Sequence, residues 1–208
     1  MYYSLISQID KAKEFLSLYQ TQFSNSSSQE QKQLLVEADK RLNHLKFILE
    51  ELRKLQEKLL VRMEVDPIFE KLNRKGVITK EEMEDFQKRN PAEKFQKQMK
   101  LWDELVFFTE SFYYQAFRFC KCIEKLPNLD SFKKKYKKVS FVRNKLIEHP
   151  EILSVSVSLG GDTGPVLKNS RNDWEKEFPQ DKGLNLNAIE FLGNVIKLLS
   201  DSVRSEEH

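Results

Sequence analysis

SQEQKQLLVEADKRLNHLKFILEELRKLQEKLLVRME, residues 28 to 64, is the stretch whose reading decides the fold. Leu35, Ala38, Leu42, Leu45, Leu49, Leu52, Leu59 and Met63 recur at three- and four-residue steps, and Gln56 is the single polar interruption of this a/d repeat. That period places the apolar residues on one seam of a helix; a half-buried strand would alternate every second residue. Ser28 with Gln31 forms a capping box ahead of it. Unbroken from about Gln29 to Glu64, the helix is on the order of 50 Å long, more than a small bundle needs. His44, beside the seam, reads as an ordinary boundary residue rather than a ligand.

On the N-terminal side, Leu5, Ile9, Leu16, Tyr19 and Phe23 predict an amphipathic helix over about Tyr2 to Phe23, broken by Asn25-Ser26-Ser27-Ser28. On the C-terminal side, residues 65 to 90 read as a polar helical insertion that projects from the bundle. Residues 71 to 82 resemble the second half of a calcium loop, with Gly76 at position 6 and Glu82 at position 12. Lys71, Asn73 and Lys75 stand at positions 1, 3 and 5. Two ammonium groups where carboxylates must coordinate exclude calcium, and the same residues read as a turn at Gly76 followed by a helix capped by Thr79 and Glu82.

Asn90-Pro91-Ala92-Glu93 predicts the next helix start, with Asn90 as N-cap and Pro91 in the first helical position. The helix carries Phe95, Met99, Trp102, Val106, Phe107, Phe108, Phe112, Tyr113, Phe117, Phe119 and Ile123 before Pro127 stops it. Apolar residues on several faces make it the central helix, with one stripe left for a partner chain. Asp130 caps a further helix with Phe132, Tyr136, Val139, Leu146 and Ile147 inward, ending at His149 because Pro150 disfavours α geometry before it. After Pro150 the period becomes two. Ile152 to Leu159 alternates, Gly160-Gly161 offers a turn and Pro165-Val166-Leu167 returns, so a small β-hairpin or extended arm is expected. A polar loop follows over 168 to 184, pinned by Trp174 and Phe178. Asn187 and Glu190 then cap a terminal helix striped by Ile189, Leu192, Ile196, Leu199 and Val203.

The chain is thus expected to be one all-α domain over 1 to 208, an up-and-down bundle of long helices with a hairpin and loop segment at 151 to 184. Composition agrees: 39% hydrophobic and 32% charged residues with only 6 Gly and 6 Pro suit long amphipathic helices. Cys120 and Cys122 stand about 200° apart on a helix and do not bridge each other. No basic-then-apolar leader and no run of 18 apolar residues occurs, so a soluble cytoplasmic protein without a membrane segment is expected, and Asn25-Ser26-Ser27 is a plain loop rather than a glycosylation site. With a net charge of +3, an anionic partner must be met by a local patch. Lys133-Lys134-Lys135-Tyr136-Lys137-Lys138 is that patch or a solvated helix face.

After four intervening residues comes Arg143-Asn144, and then His149. Arg-polar-x4-His near a helix end resembles the motif of the HEPN superfamily of all-helical domains, many of them metal-independent ribonucleases. The resemblance implies an RNA endonuclease of a toxin or phage-defence type, with no cofactor and no metal. Its catalytic residues would be Arg143, Asn144 and His149, and Lys135, Lys137 and Lys138 would draw in RNA. It also implies a homodimer with the two motifs facing across a two-fold axis, and admits a neutralising protein partner. Arg143 would hold the phosphate through its planar fork, Asn144 would orient the histidine or ribose, and His149 would move protons. At the helix C-terminus the dipole favours a protonated ring. The plain alternative makes His149 the end of a helix interacting with free carbonyls, in a non-catalytic dimeric interaction or RNA-binding module.

Overall fold

A computed structural model describes residues 2–23, 27–62, 68, 71, 76–89, 91–129, 136, 137, 139, 140, 156, 157, 165–169 and 184–204. Five helices run through them: α1 (Tyr2–Phe23), α2 (Gln29–Arg62), α3 (Lys80–Arg89), α4 (Ala92–Ile123) and α5 (Ala188–Arg204). The all-α class expected from the periodicity is what forms.

The seam of α2 is the centre of the core. Leu42, Leu45, Leu49, Leu52 and Leu59 are fully buried, as are Leu5, Ile9 and Ala12 of α1, Phe112, Ala116 and Phe119 of α4, and Leu192 and Leu199 of α5. Polar pairs along the flanks fix the register. Lys46 meets Asp10 at 2.7 Å and Lys13 bonds Asn43 at 2.7 Å, while Arg53 reaches the Tyr3 hydroxyl, so α1 and α2 are antiparallel. Arg41 bonds Gln115 at 2.9 Å, and Glu37, one turn before it, lies in the field of Arg118 and acts on Cys122, later on α4, so α2 and α4 are antiparallel. The Gln22 amide donates to the Val203 carbonyl at 3.2 Å, so α5 ends where α1 ends and the two run parallel. Phe112 and Phe191 meet edge-on at 6.3 Å and close the bundle between α4 and α5. A parallel last helix is reached through the long connection after α4, part of which pairs as three short antiparallel strands: β1 (Ser156–Val157), β2 (Val166–Asn169) and β3 (Leu184–Asn187).

The strands pair Ser156 with Lys168 and Val157 with Leu167, then Val166 with Asn187 through Asn169 with Leu184. Residues 158 to 164, including the expected turn at Gly160-Gly161, lie outside the described residues, as do Trp174 and Phe178, so a continuous hairpin is not shown. Lys168, Asn169 and Leu184, read from the sequence as loop, belong to strands. Tyr113, wholly buried, donates its hydroxyl to the Pro165 carbonyl at 2.6 Å and ties the start of β2 to α4.

Three expectations are corrected or redrawn. Pro91, not Asn90, occupies the N-cap position of α4: its φ of −61° and ψ of 154° are extended, and no side-chain cap bond is made there. A ring with fixed φ and no N–H loses nothing by standing just outside the helix. In α5, Ile189, Ile196 and Val203 are only partly buried, and the buried face runs instead through Ala188, Phe191, Leu192, Val195, Leu198, Leu199 and Ser202. That face follows a 3.6-residue period because α5 is covered from two sides, by α1 and by β3, where an a/d stripe would serve one partner. The long α2, which on the sequence exceeds what a small bundle needs, is nonetheless covered along its seam from Leu35 to Leu59 within one chain.

The insertion does form a helix. Thr79 and Glu82 exchange the two capping bonds, at 2.8 and 3.2 Å, yet none of the residues of α3 is buried. Ile68, 6% exposed, is the anchored apolar residue before it. The Gly76 N–H donates to the Lys71 carbonyl at 2.9 Å; a Cβ there would stand 2.8 Å from Lys71 Cγ, so the turn admits only glycine without displacement.

Candidate functional site

The basic run follows α4 in sequence, and the turn that ends α4 is fixed by local bonds. Glu124 N–H bonds Cys120 O at 2.9 Å and Lys125 N–H bonds Cys122 O at 3.4 Å, which closes the end of α4. Leu126 N–H then bonds Ile123 O at 3.0 Å and Leu129 N–H bonds Leu126 O at 3.3 Å, while Asn128 turns with φ 58°, a region an asparagine tolerates. Buried Tyr19 donates to the Pro127 carbonyl at 2.7 Å and fastens this turn to α1. The chain doubles back, and Tyr136 and Val139 are buried against the core. Tyr136 donates its hydroxyl to Glu124, whose side chain is 13% exposed and also takes Lys121 at 2.8 Å.

Burial, then the Glu124 hydrogen bond and charge, push the Tyr136 hydroxyl well above its ordinary range, so it is a neutral donor here. Burial pushes the Cys120 thiol up strongly as well, with the Glu124 charge adding, which makes this cysteine a packing group and a poor nucleophile. Both cysteines are free and buried.

Lys137 is exposed beside buried Tyr136. Arg143, Asn144 and His149, with Lys135 and Lys138, lie outside the described residues. The chain is followed through Ser140, whose N–H bonds Tyr136 O at 3.1 Å, three residues short of Arg143. Among the described residues this part of the chain is helical at 137, 139 and 140, with Tyr136 and Val139 buried.

A second polar cluster lies between α2 and α4 near the same end. Arg41, 13% exposed, donates to Glu37 one turn earlier and to Gln115 on α4, and its Nε is buried without a partner among the described residues. The Arg41 hydrogen bond, with the charges of Arg41, Lys40 and Arg118, holds the Glu37 carboxyl below its usual range. The sequence signal was the i,i+4 spacing of Glu37 and Arg41, which by itself marks any solvated helix face. A shallow pocket of about 230 Å³, lined by Gln29, Lys32, Gln33, Val36 and Glu37, adjoins this cluster.

In the calcium-like stretch Lys71 Nζ stands 2.6 and 2.7 Å from the two oxygens of Glu82. A tethered ammonium thus takes both oxygens of the carboxylate that a calcium loop would offer its ion. No helix of the described residues is long and apolar enough to cross a membrane. Comparison with family models, curated proteins and solved structures gave no match, so the chemistry must be argued from these residues.

Proposed function

We propose that this chain is a HEPN-like, metal-independent RNA endonuclease, and the observation that carries the reading is Arg143-Asn144-x4-His149 set four residues behind a basic run in an all-helical chain. The mooring of Tyr136 and Val139 supports it, since a site must be held by a fixed scaffold. The 2'-hydroxyl attacks the adjacent phosphorus, the bond to the 5'-oxygen breaks, and the proton passes by way of His149 to the leaving oxygen, giving a cyclic phosphate. Arg143 holds the phosphate through paired hydrogen bonds and meets the charge that grows in the transition state. On a regular helix Arg143 and His149 are about 240° apart in phase. Helix-end distortion, or a second chain across a two-fold axis, brings an arginine and a histidine together on one phosphate.

The test is cleavage of mixed RNA by the purified protein with and without EDTA. Cleavage persists in chelator, His149→Ala lowers the rate by on the order of 10² while affinity holds, and Arg143→Lys also impairs turnover because the fork is lost. Removing charge at Lys135 and Lys138 weakens binding and flattens its salt dependence. A His149→Ala chain as active as its parent sinks the reading. A second reading, a non-catalytic dimeric interaction or RNA-binding module, is favoured by Phe47 and Phe107, which are 56% and 62% exposed; it stands if RNA is neither bound nor cleaved.

A further inference from the structure

The outer face of α4 carries a line of side chains that the bundle does not use. Phe107, Tyr114, Arg118 and Lys121 follow one another at spacings of seven, four and three, so they fall within about 60° of arc on the helix. Lys125 continues the line four residues on, in the turn after the helix. The stripe lies opposite Leu105, Phe112, Ala116 and Phe119, which are buried. Phe107 is 62% exposed and Tyr114 38%, and the three cations are exposed.

Their charges are unequally committed. Lys121 pairs with Glu124 and lies 5.8 Å from the centre of the Phe117 ring. Arg118 and Lys125 form no ion pair among the described residues, nor does Lys40 across on α2. Lys40 and Arg118 both act on the Glu37 carboxylate, and Arg41 already holds it. Cations are in surplus at the Arg118 to Lys125 end of the stripe, with Tyr114 about one turn from Arg118 and Phe107 about three; toward Phe107 the same face also carries exposed Asp103 and, at its flank, part-exposed Glu110. The line ends where Tyr136 bonds Glu124, and exposed Lys137 of the basic run follows Tyr136 there.

We propose that this face of α4, together with Lys40, is the track along which a single-stranded RNA approaches the basic run, its bases stacking on Tyr114 and Phe107 and its phosphates held by Arg118, Lys125 and Lys40. The choice of RNA as the polyanion rests on the function proposed above. A single strand fits because unpaired bases offer ring faces to an exposed aromatic, while a duplex buries those faces and offers backbone alone. Phe107 to Lys125 spans about 27 Å at 1.5 Å per residue, enough for several nucleotides.

The experiment is fluorescence anisotropy of a labelled single-stranded RNA of about 12 nucleotides, within the usual range of site sizes, titrated with the full His149→Ala chain so that cleavage does not intrude. Arg118→Gln with Lys125→Gln is expected to weaken binding roughly tenfold or more at low salt and to reduce the salt slope by about 1.4, two phosphate contacts' worth. Tyr114→Ala is expected to weaken it roughly tenfold with the salt slope unchanged, and Tyr114→Trp to restore it. Circular dichroism and melting of each variant match the parent, since these side chains are outside the core. Parental affinity and slope in the double variant overturn the proposal, as does absence of RNA binding. A dimer of the parent that Phe107→Ala dissociates, with RNA affinity unchanged, gives the face to a second copy and also overturns it. The nuclease reading is judged separately by cleavage with His149 intact: a chain that binds through this face and does not cleave keeps the track and loses the nuclease.

Discussion

At the start of α2, Ser28 and Gln31 bond each other's backbone N–H at 2.8 and 3.2 Å, and at the start of α3, Thr79 and Glu82 do so at the same two distances. Yet α2 buries Leu35, Leu42, Leu45, Leu49, Leu52 and Leu59, whereas α3 buries nothing. The cap decides where a helix begins and contributes about 1 kcal/mol. It does not hold ten residues helical in water, because nucleation is costly and isolated helices shorter than about 12 residues are marginal. For α2 the remainder comes from apolar burial. For α3 it comes from its neighbours in sequence: the close turn at Gly76 and the Lys71–Glu82 pair.

The largest effect that separates the two helices is truncation of a core leucine. Leu49→Ala is expected to cost about 2–5 kcal/mol of unfolding free energy in urea, and Met83→Ala less than about 0.5 kcal/mol. Equal effects would break the comparison. Next comes the tie between bundle and strands: Tyr113→Phe removes the bond to Pro165 from a wholly buried site and is expected to cost about 1–3 kcal/mol, with faster amide exchange over Val166–Asn169. Unchanged exchange there would show that β2 is held by other contacts.

The capping boxes give a smaller and sharper contrast. Ser28→Ala is expected to lower global stability by about 1 kcal/mol. Thr79→Ala is expected to speed amide exchange within α3 while leaving the global transition in place, since α3 has no buried face to pass the loss on. A matching shift of the global midpoint would mean that α3 is part of the cooperative core.

The smallest effect is a pH dependence. The Lys71 hydrogen bond first, and the Thr79 backbone bond next, lower the part-exposed Glu82 carboxyl. A lowered carboxyl stabilises the folded form above its unfolded pKa and loses that contribution as pH falls through the folded one. The helicity of α3 should therefore fade at a pH below the ordinary carboxylate range, read by amide exchange. Lys71→Met should move that fading up toward the ordinary range, and an identical pH profile in the variant would remove Lys71 from the account.

The candidate site divides along the same line. Its mooring lies among the described residues, and parts of it were readable: Tyr136 and Val139 were expected to face inward and do. Their partner Glu124 was not, since nothing in the sequence links a glutamate at the end of one helix to a tyrosine beyond the next turn. Arg143, Asn144 and His149 are legible only as a spacing, and their chemistry rests on the proposal and its cleavage test.

By itself the sequence determined the local quantities. The bounds of α1, the seam of α2, the cap of α5 at Asn187 and Glu190 (2.7 Å from the Glu190 N–H to the asparagine oxygen), and the turn and cap around Gly76 all depend on neighbours within a few residues. Tertiary structure alone decided which faces those elements would cover. The burial of α5 was rotated by its second partner, the heptad seam was covered inside one chain, and Phe107 and Tyr114 were left in solvent by a helix whose neighbouring Phe112 and Tyr113 are buried. Periodicity tells which residues share a face, but not how many other faces will arrive to meet it, because that depends on contacts between residues a hundred or more positions apart, as in the bond from Tyr19 to Pro127.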